Sequence, residues 1–147
     1  MMLKVFIFLI FGTISCSALH LNITDVGEYG RQNVWRKTLC EKHSDVLYSD
    51  MEKCLQLEPK ALLGALDECF TEVVPQAKTV IAAYVTAACE KKELFLKVDS
   101  CMEEYEANVG LKKQMEMGKE AEDCYFVAAK KHNLPELFFY FESAPKS

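Results

Sequence analysis

The chain lacks the fingerprints by which many sequences declare a reaction. It has no G-x-S-x-G elbow, no H-E-x-x-H helix, no P-loop and no glycine-rich dinucleotide motif, each of which would set a nucleophile, a metal or a phosphate in a fixed local geometry. No C-x-x-C pair occurs either, and a structural zinc site needs such close pairs. No long basic run is present, and 17 Lys and Arg stand against 22 Asp and Glu. That balance weighs against nucleic acid and against a lytic cationic peptide.

What the sequence does hold begins with MMLKVFIFLIFGTISCSALH: one lysine, Lys4, an apolar run over residues 5–11, and mostly small residues over 12–18. This is the pattern of a secretory signal peptide over residues 1–18. Cleavage after Ser17 or Ala18 satisfies the small-residue rule, and Ala18 leaves Cys16 at the small upstream position. The apolar run is too short for a bilayer-spanning helix, which takes roughly 20 apolar residues, and no later run is longer. The expected mature chain, from Leu19 onward, has 129 residues (147 less 18). That is one domain's worth, burying roughly two thirds of its unfolded surface. Without Lys4 the formal charge moves from −5 to −6.

Of seven cysteines, six follow the expected signal: Cys40, Cys54, Cys69, Cys89, Cys101 and Cys124. An even number in a secreted chain reads as three disulfides, with fifteen connectivities open.

Helical periodicity dominates after Val34, and no strict alternation persists there, so the expected fold is all-α. It is a disulfide-stapled bundle of five to six helices in one domain over 32–147, behind an exposed arm over 19–31. The arm contains the sequon Asn22-Ile23-Thr24, which makes Asn22 a candidate glycosylation site. The spacing predicts a helix over 32–42 and a second, N-capped by Ser44, running to about residue 57, with Asp45 at the positive end of its dipole. Pro59 opens a third, with Leu62, Leu66, Cys69, Phe70 and Val73 on one stripe, and Pro75 is expected to open a fourth through Ala77, Val80, Ile81, Tyr84 and Ala88. After a boundary within 90–93, Leu94, Val98, Cys101, Met102, Tyr105 and Val109 form a stripe that Gly110 ends. One long helix over 111–131 then turns Leu111, Met115, Ala121, Cys124, Tyr125 and Ala128 inward, and His132-Asn133 closes it. Pro135 opens a last short turn.

Four cysteines share one setting, MEKCL, LDECF, VDSCM and AEDCY: an apolar residue, an acid, any residue, cysteine, another apolar residue. The cysteine then lies on the buried stripe, and the acid points away from it. The other two, Cys40 and Cys89, each open a CEK triplet, with Trp35 and Tyr84 five residues upstream. The six therefore read as two pseudo-repeats of a three-cysteine unit, offset by 49 residues (89 less 40). Three cysteines cannot all pair among themselves, so one or three bridges must cross between the halves. Cysteines 14 or 15 residues apart on one helix would be about 21 Å apart, beyond disulfide reach. Each bridge must join different helices.

Functional chemistry is sparse. The three histidines are His20, His43 and His132; His20, next to the expected amino terminus, makes a copper site only if it meets another of them, and no metal or other cofactor is otherwise implied. Asp67, Glu68, Asp99, Glu103, Glu104, Glu122 and Asp123 supply paired carboxylates, but their recurrence along helices fits a solvated face. Met102, Met115 and Met117 suit either core or an adaptable pocket. The unusual stretch is LFFYF, Leu137, Phe138, Phe139, Tyr140 and Phe141: one short turn can hardly bury all five on a single face, so the segment wedges between helices or contributes to a ligand cavity or partner surface.

A signal peptide followed by an acidic, helical, six-cysteine domain with a repeated three-cysteine unit resembles the secreted cysteine-rich proteins of arthropod haemolymph, saliva and venom. Insect odorant-binding proteins separate their second and third cysteines by three residues, and microplusin-like antimicrobials carry histidine clusters; this chain has neither. The resemblance implies a secreted, monomeric, non-enzymatic binding or effector protein acting on an extracellular partner. The alternative is a carrier of a small apolar ligand, with Tyr84, Met102, Tyr105, Met115, Tyr125 and residues 137–141 lining its cavity. The discriminating observation is whether those residues border a void or fill a core.

Overall fold

Helices occupy the segments in which apolar residues recur at three-four spacing. The computed structural model describes residues 25–77 and 81–141; the expected signal peptide, His20, the Asn22 sequon and Val80 lie outside them. A small antiparallel hairpin comes first, β1 (Val26–Gly27) and β2 (Gly30–Arg31), with Val26 opposite Arg31. Then follow α1 (Asn33–Lys42), α2 (Asp45–Leu55), α3 (Lys60–Val73), α4 (Ile81–Glu90), α5 (Glu93–Glu106), α6 (Val109–Gln114) and α7 (Lys119–Lys131), and a 3-10 helix (Pro135–Phe141). The fold is an all-α, disulfide-stapled bundle, with seven α-helices among the described residues.

Local signals place most boundaries. Ser44 extends its backbone and accepts the Leu47 N–H, so α2 is capped as expected. Pro59 is itself the N-cap of α3, one residue earlier than the expected first helical position. Asn133 takes a left-handed φ of 53°, and the Leu134 N–H reaches back to the Ala129 carbonyl while the Asn133 N–H reaches Lys130. This Schellman closure ends α7 and delivers Leu134 into the core.

Three expectations require correction. Gly110 does not end α5; that helix ends at Glu106, and Gly110 lies inside α6, whose N-cap Asn108 accepts the Leu111 N–H. The long helix expected over 111–131 is two helices, α6 and α7, separated by residues 115–118. Its charges suit the break, with Lys112 and Lys113 in the last turn of α6 and Glu120 and Glu122 in the first turn of α7. Pro75 lies in a turn in which the Ala77 N–H bonds the Val74 carbonyl, and the helix described after it begins at Ile81. In addition, residues 25–31 are not simply an exposed arm: they form the hairpin, and Gly30 is buried against α5.

The disulfides are Cys40–Cys89, Cys54–Cys124 and Cys69–Cys101, joining α1 to α4, α2 to α7 and α3 to α5. All three cross between the halves. The pairing also maps onto itself when the halves exchange: first cysteine bonds first, second bonds third, and third bonds second. This is the connectivity expected of two like units facing each other across a twofold axis. Helix packing follows it, with α2 against α7 and α3 against α5.

The core contains Tyr48, Phe95, Leu47, Met51, Leu134, Leu137, Cys54 and Cys69 as its largest fully buried side chains. Each large apolar side chain buried contributes about 1.5–3 kcal/mol. Tyr48 satisfies its hydroxyl by donating to the Leu39 carbonyl at 2.8 Å.

The acids that precede the cysteines do not all point outward. Asp67 is exposed, but Asp99 is buried and paired with Arg36, and Glu52 is half-buried and accepts the Ile81 N–H at 3.2 Å. Two residues rotate a helix by roughly 200°, enough to carry the acid onto a second neighbour when a helix is packed on two sides.

Candidate functional site

Five of the residues expected to line a cavity are buried in the core instead. Tyr84, Met102, Met115, Tyr125 and Leu137 are buried and packed in one apolar cluster. Tyr84 stacks on Phe70 at 4.1 Å and meets Phe95 edge-on at 5.8 Å. Its hydroxyl has no hydrogen-bond partner among the described residues, and burial pushes its pKa up. Tyr125 lies in a different aromatic group, with Trp35 edge-on at 5.6 Å. Met117 is exposed.

The LFFYF segment is a wedge. With three residues per turn, a 3-10 helix presents three faces, and apolar residues are spread over all of them. Leu137 and Tyr140 share the face turned to the core and to α1. Leu137 is fully buried, and Tyr140 packs edge-on against Trp35 at 5.5 Å. The Tyr140 hydroxyl donates to the Asp25 carboxylate and accepts the Trp35 backbone N–H at 3.1 Å. Phe138 and Phe141 meet Phe126 of α7 at 5.5 and 5.4 Å, and Phe139 stacks on Tyr140. The Lys130 ammonium lies over the Phe126 ring, 4.1 Å from its centre. Phe138 to Phe141 stay half-buried, so the wedge retains an accessible aromatic rim.

A concave surface lies elsewhere, between α3 and α5. A groove of about 620 Å³ has Val73, Leu96 and Cys101 along it and Glu72, Glu93 and Glu104 at its sides, with Lys97 as a base. It continues into a second space of about 290 Å³ that shares Glu72, Cys101 and Glu104 and adds Glu68, Tyr105 and Leu111. Of the residues expected to line a cavity, only Tyr105 reaches this groove, where its hydroxyl donates to Glu68; that carboxylate raises the phenol's pKa. The Cys69–Cys101 disulfide ties the two sides together, and the Glu72 carboxylate lies 3.7 Å from the Cys101 sulfur. Glu68 and Glu104 are among the acids whose spacing fits a solvated face, and Glu72 and Glu93 carry no motif of their own. The signal that would have found Glu72 and Glu104 together is the Cys69–Cys101 pairing, because each lies three residues, about one turn, after its cysteine.

The histidines are engaged separately. His43 Nδ1 is 3.0 Å from the Tyr48 hydroxyl, and His132 Nε2 is 2.8 Å from Asp50. Asp50 also accepts from Lys131 at 2.7 Å. Among the described residues no three metal-ligating side chains converge, and no helix is long and apolar enough to cross a membrane.

Set beside protein-family models, curated proteins and solved structures, the chain matches none of them.

Proposed function

We propose that the chain is a secreted, non-enzymatic binding protein, of the kind found in venom or saliva, that acts as a monomer on an extracellular protein through its surface. The observation that carries this reading is the burial of Tyr84, Met102, Met115, Tyr125 and Leu137 as packed core, which leaves recognition to the exterior. Three intramolecular disulfides suit an oxidising extracellular setting, and the amino-terminal pattern supplies the route to it. A stapled scaffold also keeps a recognition surface preorganised, which lowers the ordering cost of binding.

Native mass spectrometry of the mature protein from a secreting host tests this against the carrier. The bare mass of the chain, with any glycan, is expected before and after denaturation. A small-molecule mass lost on denaturation would sink the surface-binding reading in favour of the carrier.

A further inference from the structure

We propose that the groove between α3 and α5 docks a basic, partly apolar segment of the partner protein; this rests on the reading of the chain as a binding protein and names the surface and the chemistry. The groove has an apolar floor, with Val73 and Leu111 half-buried and Leu96 48% exposed. Its sides carry Glu68, Glu72, Glu93 and Glu104 against the single base Lys97. An apolar side chain can settle on the floor while flanking lysines or arginines reach the carboxylates, and charge-assisted hydrogen bonds of that kind are the stronger ones. The negative field also favours encounter with a cationic partner.

The symmetric cysteine pairing provides an internal comparison. Counting from the bonded cysteines, the α2–α7 junction at Cys54–Cys124 is the counterpart of the α3–α5 junction at Cys101–Cys69. Val127 stands there in place of Glu72, and Leu57 in place of Glu104. Both are surface positions, 62% and 40% exposed. The stapled junction therefore does not itself require acids at these two places, even for exposure to water. Glu72 and Glu104 both border the α3–α5 groove.

The test uses the full mature protein and fluorescent peptides of lysine, arginine and leucine, read by anisotropy at low and high ionic strength. Matched peptides without leucine and with glutamate in place of the bases serve as controls. Basic, leucine-containing peptides are expected to bind, more weakly in salt. Glu72→Gln/Glu104→Gln is expected to weaken them about tenfold, whereas Glu116→Gln/Glu120→Gln, the same charge change at exposed sites outside the groove, has less than about a twofold effect. Leu96→Ser is expected to weaken only the leucine-containing peptides. Unchanged circular dichroism and disulfide map confirm that the variants fold. Equal losses in the two double variants mean diffuse charge attraction and overturn the proposal, as does the absence of binding by every basic peptide. If a native partner is bound equally by wild type and Glu72→Gln/Glu104→Gln, the groove assignment fails while the binding-protein reading stands. A small-molecule adduct in the native mass spectrum overturns that reading itself.

Discussion

Arg36 and Asp99 form a two-pronged ion pair beneath the hairpin, Nη1 to Oδ2 at 2.9 Å and Nη2 to Oδ1 at 2.5 Å, with both side chains largely buried. The same carboxylate accepts the Arg31 N–H at 3.0 Å, and Arg36 also donates to the Tyr29 carbonyl and lies over the Phe95 ring. One acid thus ties β2, α1 and α5 together. Removing one member of a buried pair leaves the other charge without compensation, at a cost of about 3–5 kcal/mol. Asp99→Leu is expected to lower stability by about that amount in urea denaturation. Arg36→Leu/Asp99→Leu is expected to lose less than the sum of the single variants, because neither charge is stranded.

Gly30 is held at φ 79°, and a Cβ added there would stand 2.3 Å from Asp99 Oδ2 and 2.8 Å from Arg36 Nη1. Backbone preference and sterics act in the same direction. Gly30→Ala is expected to cost more than about 1 kcal/mol, with a lower thermal midpoint. Gly64→Ala, exposed in the middle of α3 with no atom within 4 Å of the added carbon, is expected to stabilise by up to about 1 kcal/mol.

Non-reducing peptide mapping is expected to recover the three pairs Cys40–Cys89, Cys54–Cys124 and Cys69–Cys101. Full reduction is expected to add about six mass units, two hydrogens per bridge. Cys54→Ala/Cys124→Ala, which removes the bridge with the longest sequence separation, 70 residues, is expected to cost about 2–5 kcal/mol in thermal or urea unfolding. Pairing within either half would contradict the twofold connectivity.

Glu58, in the connection between α2 and α3, is 6% exposed, and its Oε2 has no hydrogen-bond partner among the described residues. Burial holds its carboxyl above the usual glutamate range, partly offset by the neighbouring Tyr125 hydroxyl. The folded chain therefore binds this proton more tightly than the unfolded chain. Its contribution is complete below the unfolded pKa and is lost as pH rises through the raised folded value. Glu58→Gln is expected to improve relative to wild type as pH rises from the unfolded glutamate pKa through the raised folded value, read as the difference in urea midpoints.

Asp50 has the opposite sign. Hydrogen bonds from Lys131 and then His132 hold its carboxyl well below the usual range. The stability it contributes is present above the unfolded aspartate pKa and is lost as pH falls through the lowered folded value. Asp50→Asn is expected to weaken the α2–α7 junction at neutral pH and to flatten the acid limb of the stability profile. An unchanged acid limb would assign that limb to other carboxylates.

Much of the fold was legible because it is local. Ser44, Pro59 and Asn133 act through hydrogen bonds and dihedrals within a few residues, and the apolar stripes specify helices by spacing alone. The parity of the cysteines required an odd number of crossings between the halves before any pairing was known. The break between α6 and α7 was also written locally, in bases followed by acids, but an apolar stripe that continued across it concealed the break.

Tertiary structure decided whatever depends on which surfaces meet. A periodic stripe shows that Tyr84, Met102 and Tyr125 turn inward, yet core and cavity wall have the same periodicity, and only packing distinguishes them. Glu52 and Asp99 occupy the same place before their cysteines as the exposed Asp67, and neighbouring helices alone make them interior acids. The groove followed the same rule: Glu72 and Glu104 lie 32 residues apart in the chain and became neighbours only because Cys69 chose Cys101. Spacing determined which side of each helix faces inward; the choice among fifteen pairings depended on three-dimensional contact between helices.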